Sequence, residues 1–173
     1  QTDPHIASHI NGGPTAVALE EVKQLVYETG LALEIVHCGN PKIAVDAVSL
    51  CIEAGALDRV IIGNDAPSGT GVIPLGILRV INQLASLTLL KPEEAICMAT
   101  GNTARLYNLN RGVIAVGKEA DLVIMDAPMG SVGDNALSAI EAGDVPGVAM
   151  VLVDGQVVVG KSRNTPPTKG TVS

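Results

Sequence analysis

Three short apolar runs in the first seventy or so residues each stop at a polar, chemistry-bearing side chain and then open into a loop rich in Gly, Asn or Pro. The first, beginning at Pro4, closes on His9 before Asn11-Gly12-Gly13-Pro14. The second, Leu31 to Val36, closes on His37 before Cys38-Gly39-Asn40-Pro41, and the third, within Arg59 to Gly63, is followed by Asp65 and the loop to Gly71. Between them the apolar spacing changes. Val17, Val22, Leu25 and Val26 fall near one helical face, and Ile43, Val45, Val48, Leu50 and Ile52 do so more diffusely. Strand, loop and helix repeated three times predict consecutive βα units of a parallel sheet. In a parallel barrel the C-terminal strand ends share one rim, so these polar termini are expected to face one another.

Beyond the third unit the pattern stays helical and then turns to strands. Pro74 is placed at the first turn of a helix through Ile77, Leu78, Ile81 and Leu84, Pro92 at the start of another reaching Met98, and Asn102 or Thr103 as the cap of a short helix to Tyr107. Gly112 to Ile114 and Ala120 to Met125 read as strands. Val148 to Val153 and Gln156 to Val159 read as a hairpin about Asp154-Gly155. The polar stretch from Ser131 to Asp144 carries a helix at Ala136 to Ala142, and the tail after Lys161 reads as a solvated wrap. The resulting division is residues 1–109 as the α/β part and 110–173 as a separate β layer with its tail.

With 173 residues and 47% hydrophobic content the chain can bury a sizeable core, but only 1% of it is aromatic and it holds no Phe or Trp. Aliphatic side chains and Ala must therefore build that core, and the shortage of aromatic rings argues against base-stacking platforms for nucleic acid. A net charge of -7 without a basic stripe argues against nucleic acid or an anionic membrane as partner and leaves small molecules. Cys38, Cys51 and Cys97 are odd in number and lack CxxC spacing, which suits reduced thiols in the cytoplasm. No apolar run approaches the length of a membrane span. The chain opens on Gln1 rather than Met, which suits a fragment of a longer protein.

Asp65 is the leading chemical candidate, with an aspartate bonded to its own loop backbone as the alternative. His9 reads either as a metal ligand or as a satisfied strand-end histidine. His37 is a candidate for substrate contact, and Cys38 reads as a small packing residue. Asn11 and Gly12, with Gly13, let the backbone approach a ligand, although a tight turn accounts for the glycines equally well. The Gly63 to Gly71 loop lacks the Lys and spacing of a phosphate cradle. Asn102 and Arg105 read as a cap and a surface charge. His5 and His9 are four residues apart, about 13 Å along a strand, too far for one zinc to bridge.

The segments SHINGGPTA, EIVHCGNPKIA, VIIGNDAPSGTGVIPLGIL, MATGNTARLYNL and GVIAVGKEADLVIMD together resemble the C-terminal part of the metal-dependent amidohydrolase superfamily, from about His5 to Pro167. HINGGPT and GNDAPSGTG are similar to its enamidase branch. The resemblance implies the C-terminal part of a (β/α)8 TIM-type barrel, plus strands of a small β-sandwich. It implies a divalent metal centre, binuclear zinc and/or iron in the full-length enzyme, and a cyclic amide substrate opened with ammonia release. On this likeness His9 is similar to the metal-ligand histidine of the sixth strand. Asp65 is similar to the aspartate of the eighth, which binds metal and shuttles a proton, while His37 has no fixed ligand role. The superfamily's H-x-H pair, its bridging carboxylate or carbamylated lysine and its fifth-strand histidine have no counterpart here. Two ligands are too few for a zinc site, so the chain alone is expected to be inactive. The full-length enzyme is expected to be a homo-oligomer. Dihydroorotase-like or deaminase-like substrates are the alternatives within the superfamily. A non-catalytic α/β binding or structural piece is the alternative outside it.

Overall fold

The computed structural model describes residues 5–12, 17–67 and 71–167. Gly13, the loop residues Ser68 to Thr70 and the end of the tail lie outside them. The three predicted βα units are present. Strands β1 (Ile6–Ala7), β2 (Ala32–Val36) and β3 (Val60–Gly63) form a parallel sheet in the order β1-β2-β3. Leu33 pairs with Val60 and Ile35 with Ile62, and these four point to the helix side, where they join the core. Glu34, paired with Ile61, falls by alternation on the opposite face.

Helices α1 (Leu19–Glu28) and α2 (Pro41–Glu53) follow β1 and β2. Asn40 caps α2 by accepting from the backbone N–H groups of Lys42 and Ile43, and Pro41 occupies the first turn, where no N–H is needed. At the other end of α1, the Arg59 guanidinium donates to the carbonyls of Leu25, Val26 and Leu31. It thus satisfies orphan C-terminal carbonyls with a cation placed where the helix dipole favours it. Val22 and Val26 of α1, and Ala44, Ala47, Val48 and Cys51 of α2, meet the sheet in a core of aliphatic side chains.

Helix α3 is Gly76–Leu87, so Pro74 lies ahead of it rather than in its first turn; Leu75 precedes the helix in the left-handed region, φ 58°. Helix α4 (Pro92–Ala99) begins on its proline as expected. Asn102 does not cap α5 (Gly101–Leu106): it lies inside the helix and donates to the carbonyls of Leu57 and Val60, tying α5 to the start of β3. A side-chain amide with two carbonyls in reach does more there than at an exposed cap.

Strands β4 (Leu122–Asp126), β5 (Gly147–Val153) and β6 (Gln156–Val159) form a second, antiparallel sheet in that order, with helix α6 (Ala136–Glu141) between the first two. Asp154 and Gly155 both have positive φ, 49° and 73°, as a two-residue hairpin turn requires. Gly112 to Ile114 is not a strand. It has no ladder partner among the described residues, and Arg111 instead pairs with Glu119 and Asp121 to close the loop. The tail is bound rather than solvated as far as Thr165, which is buried and donates to the Val148 carbonyl. None of the described helices is long and apolar enough to cross a membrane.

Burial pushes the Cys51 thiol up to about 11, against a weaker opposing pull from Arg59. Its folded pKa thus exceeds the roughly 8.5 of a free thiol, so its contribution to stability is intact below about pH 8.5 and is lost as pH rises through about 11. Chemical denaturation at about pH 8 and about pH 11 should show the native sequence losing roughly 2 to 3 kcal/mol more than Cys51→Ala. Equal losses in the two proteins would show that Cys51 does not ionise during unfolding.

Candidate metal centre

The loops after the three strands are fastened to one another by continuing the sheet's hydrogen bonding. Past the end of β1 the Ile10 N–H still donates to the Glu34 carbonyl, and past β2 the His37 N–H donates to the Gly63 carbonyl. Asn11 completes the frame. Its side chain donates to the Val36 carbonyl at 2.9 Å and accepts from the Val36 N–H at 2.9 Å, closing a two-point bracket on the last residue of β2. The carbonyls of Asn11 and Gly12 both accept from the Asn40 N–H, which ties the first loop to the cap of α2. Gly39 packs against Asn11 so closely that a Cβ there would sit 2.2 Å from its amide nitrogen. The Asn11 amide is therefore engaged with backbone, and its part in the site is to hold two loops together.

Within this frame His9 and Asp65 come together. Both adopt left-handed backbone, φ 58° and 52°, conformations uncommon for residues with a Cβ. Such strain at a strand end persists only where surrounding bonds hold it, and here it accompanies convergence of the side chains. His9 Nε2 lies 3.2 Å from Asp65 Oδ2. Cys38 joins them: its Sγ donates to Asp65 Oδ2 at 3.0 Å and lies 3.7 Å from His9 Nε2. The three donor atoms all lie within 4.8 Å of one another. Partial burial, then the hydrogen bond to Asp65 and its negative charge, raise the Cys38 thiol above its ordinary range.

Cys38 is thus not the packing residue that the sequence suggested. The available signal was its place one residue beyond His37 at a strand end, the position class that also supplied His9 and Asp65. His37 Nδ1 and Asn64 Oδ1 are buried and have no hydrogen-bond partner among the described residues. His5 lies at the opposite end of β1, where its carbonyl accepts from Ala32, far from the His9 cluster as its spacing requires. Arg105 pairs with Asp58 at that lower end.

The amidohydrolase family model matches residues 7–158, nearly the whole chain. The chain belongs to the amidohydrolase family. Among curated relatives of this amidohydrolase, the enamidase of Eubacterium barkeri is 60% identical over 169 residues, covering 98% of the chain and 44% of the enamidase. The crystal structure of enamidase superposes with a TM-score of 0.91 at 60% identity, over 97% of this chain and 44% of that one. The β-aspartyl dipeptidase of Fervidobacterium islandicum AW-1 matches with a TM-score of 0.65 at 19% identity, covering 94% of this chain and 40% of that one. Guanine deaminase of E. coli matches at 0.54 and 19% identity, covering 90% and 39% respectively. These last two share the fold alone. The enamidase match confirms the barrel: the parallel sheet and its helices are part of a TIM barrel, and the chain spans less than half of the enamidase's length.

Replacing Asn11 with Ala would leave the buried Val36 N–H without a partner and the Val36 carbonyl with only the Gly39 N–H. Such a loss costs roughly 2 kcal/mol, and urea denaturation of Asn11→Ala should show it. An unchanged midpoint would mean that the bracket on Val36 does not hold the rim.

Proposed function

We propose that this chain is the C-terminal part of a metal-dependent hydrolase that opens a cyclic amide and releases ammonia, as an enamidase does. The observation that carries the reading is the approach of His9 Nε2 to Asp65 Oδ2, 3.2 Å, from the ends of two strands of one parallel sheet. The 60% identity to the E. barkeri enamidase supports the substrate class. The donor set fits a divalent cation: an imidazole nitrogen, a carboxylate oxygen and a thiol lie within 4.8 Å of one another. His9 and Asp65 would hold the ion. Zinc and/or iron, as a pair in the full-length protein, match these donors, with the remaining ligands supplied from outside this chain. We place the protein in the cytoplasm as a homo-oligomer acting on a small molecule, with neither nucleic acid nor membrane as partner.

A divalent ion so held supplies two things when bound, a water acidified toward about pH 7 and a polarised amide carbonyl. The residues of this chain do the rest. The Asp65 carboxylate accepts the proton of the attacking water and passes it to the departing ring nitrogen. The enamine so released hydrolyses to an aldehyde and ammonia. His9, on its strand-end turn, presents its Nε2 beside the Asp65 carboxylate, so that both would hold the ion from fixed positions. We read His37 as a substrate contact; the support for this is that its Nδ1 is without a partner among the described residues. Asn11 and Gly12 are bonded to Val36 and Asn40, and we read their contribution to substrate binding as shaping the loop rather than donating side-chain bonds.

In the full-length protein, Asp65→Asn should keep the fold and lose turnover by about 100-fold or more, because an amide cannot accept the proton. Ammonia release, circular dichroism and metal content measured together check this; turnover near that of the native protein would remove Asp65 from the mechanism. His9→Ala should lower the metal content seen by elemental analysis. A folded His9→Ala protein with unaltered metal stoichiometry would return His9 to a structural role.

A further inference from the structure

The thiol of Cys38 has a geometry that a packing role does not explain. It touches the two side chains that the proposed function assigns to metal, Asp65 at 3.0 Å and His9 at 3.7 Å, and those two atoms are 3.2 Å apart. A tetrahedral ion of zinc size, with bonds of about 2.0 Å to nitrogen or oxygen and about 2.3 Å to sulfur, separates its ligand atoms by about 3.3 Å for a nitrogen–oxygen edge and about 3.5 Å for an edge to sulfur. The triangle formed by His9 Nε2, Asp65 Oδ2 and Cys38 Sγ has edges of 3.2, 3.0 and 3.7 Å. It therefore approximates one face of such a tetrahedron, with the sulfur–oxygen edge about 0.5 Å short. The other two cysteines are placed differently: Cys51 is buried in the core, and Cys97 is exposed on α4.

We propose that Cys38 is a third protein donor to the metal centre, giving it a nitrogen, oxygen and sulfur set. The proposal rests on the reading that His9 and Asp65 hold a cation. On binding, the S–H bond of Cys38 breaks, a sulfur–metal bond forms, the proton leaves to solvent, and the oxidation state of the metal does not change. Sulfur donation has a consequence for metal choice. Thiolate favours zinc, ferrous iron or cobalt over magnesium and calcium, which take oxygen ligands. Cys38 would thereby act as a specificity-determining residue for the ion, and removing it should leave a centre that discriminates less against hard cations.

The test is spectroscopic and uses the full-length protein loaded with cobalt(II). A native centre with Cys38 bound should show a near-ultraviolet sulfur-to-cobalt charge-transfer band beside the visible ligand-field bands. Cys38→Ser should lose the charge-transfer band, keep the ligand-field bands and bind zinc at least about tenfold more weakly, while Cys97→Ser should keep both sets of bands. Should Cys38→Ser fail to fold, alkylation of the native protein followed by mass spectrometry decides the matter. The Cys38 peptide should be protected by bound zinc and labelled after chelation, with Cys97 labelled in both states. Ligand-field bands without a charge-transfer band, a band that persists in Cys38→Ser, or equal labelling of Cys38 with and without zinc would overturn the sulfur ligand and leave the His9 and Asp65 reading standing. Failure of the native protein to retain cobalt at all would overturn both.

Discussion

The register of the parallel sheet is the constraint on which everything else depends. Pairing Leu33 with Val60 and Ile35 with Ile62 sends these side chains to the helices, and it also sets how far each strand projects before its loop begins. A slip of one residue would reverse the two faces and exchange core for site. The backbone bonds from Ile10 to Glu34 and from His37 to Gly63 carry the same register into the loops. His9, Cys38 and Asp65, separated by 29 and 27 residues in the chain, meet because the loops after three parallel strands lie on one side of the sheet; β1 stops opposite Leu33, and its loop runs on beside β2 toward the Val36–Gly63 pair at which β2 and β3 end. The Asn11 bracket on Val36 then holds that loop against the end of β2.

The elements that carry the site were legible because local and long-range signals agreed. Apolar runs of strand length, loops rich in Gly, Asn and Pro, and helical spacing behind them all point to βα units, and a parallel sheet needs that alternation. Asp154-Gly155 and Pro92 announced their turn and helix through backbone preference alone. Elsewhere the local signal was real but was overruled by the partners available. Gly112 to Ile114 has strand composition but no ladder to join among the described residues, and Asn102 has capping chemistry but two carbonyls of another element within reach. Thr165 looked like tail until β5 offered it a carbonyl.

At the site the sequence identified residue types more readily than distances. His9 and Asp65 stood out because imidazole and carboxylate at strand ends are recognisable, and the family resemblance assigned them the same role. Cys38 did not, because a thiol is as often a small apolar packing group as a donor, and only the three-dimensional triangle distinguishes the two. Asn11 was expected near a ligand, and the structure shows its amide engaged with the backbone of Val36. A buried amide that satisfies both polar groups of one backbone residue is invisible in sequence, since its partner is 25 positions away.

Anomalous diffraction from crystals of the metal-loaded full-length protein is the most direct test of the central claim, that these strand ends hold a divalent cation. The account predicts an anomalous peak within bonding distance, about 2.0 to 2.3 Å, of both His9 Nε2 and Asp65 Oδ2 or of a pair of ions that they share. Fully occupied metal peaks that leave both His9 and Asp65 beyond bonding distance would contradict it.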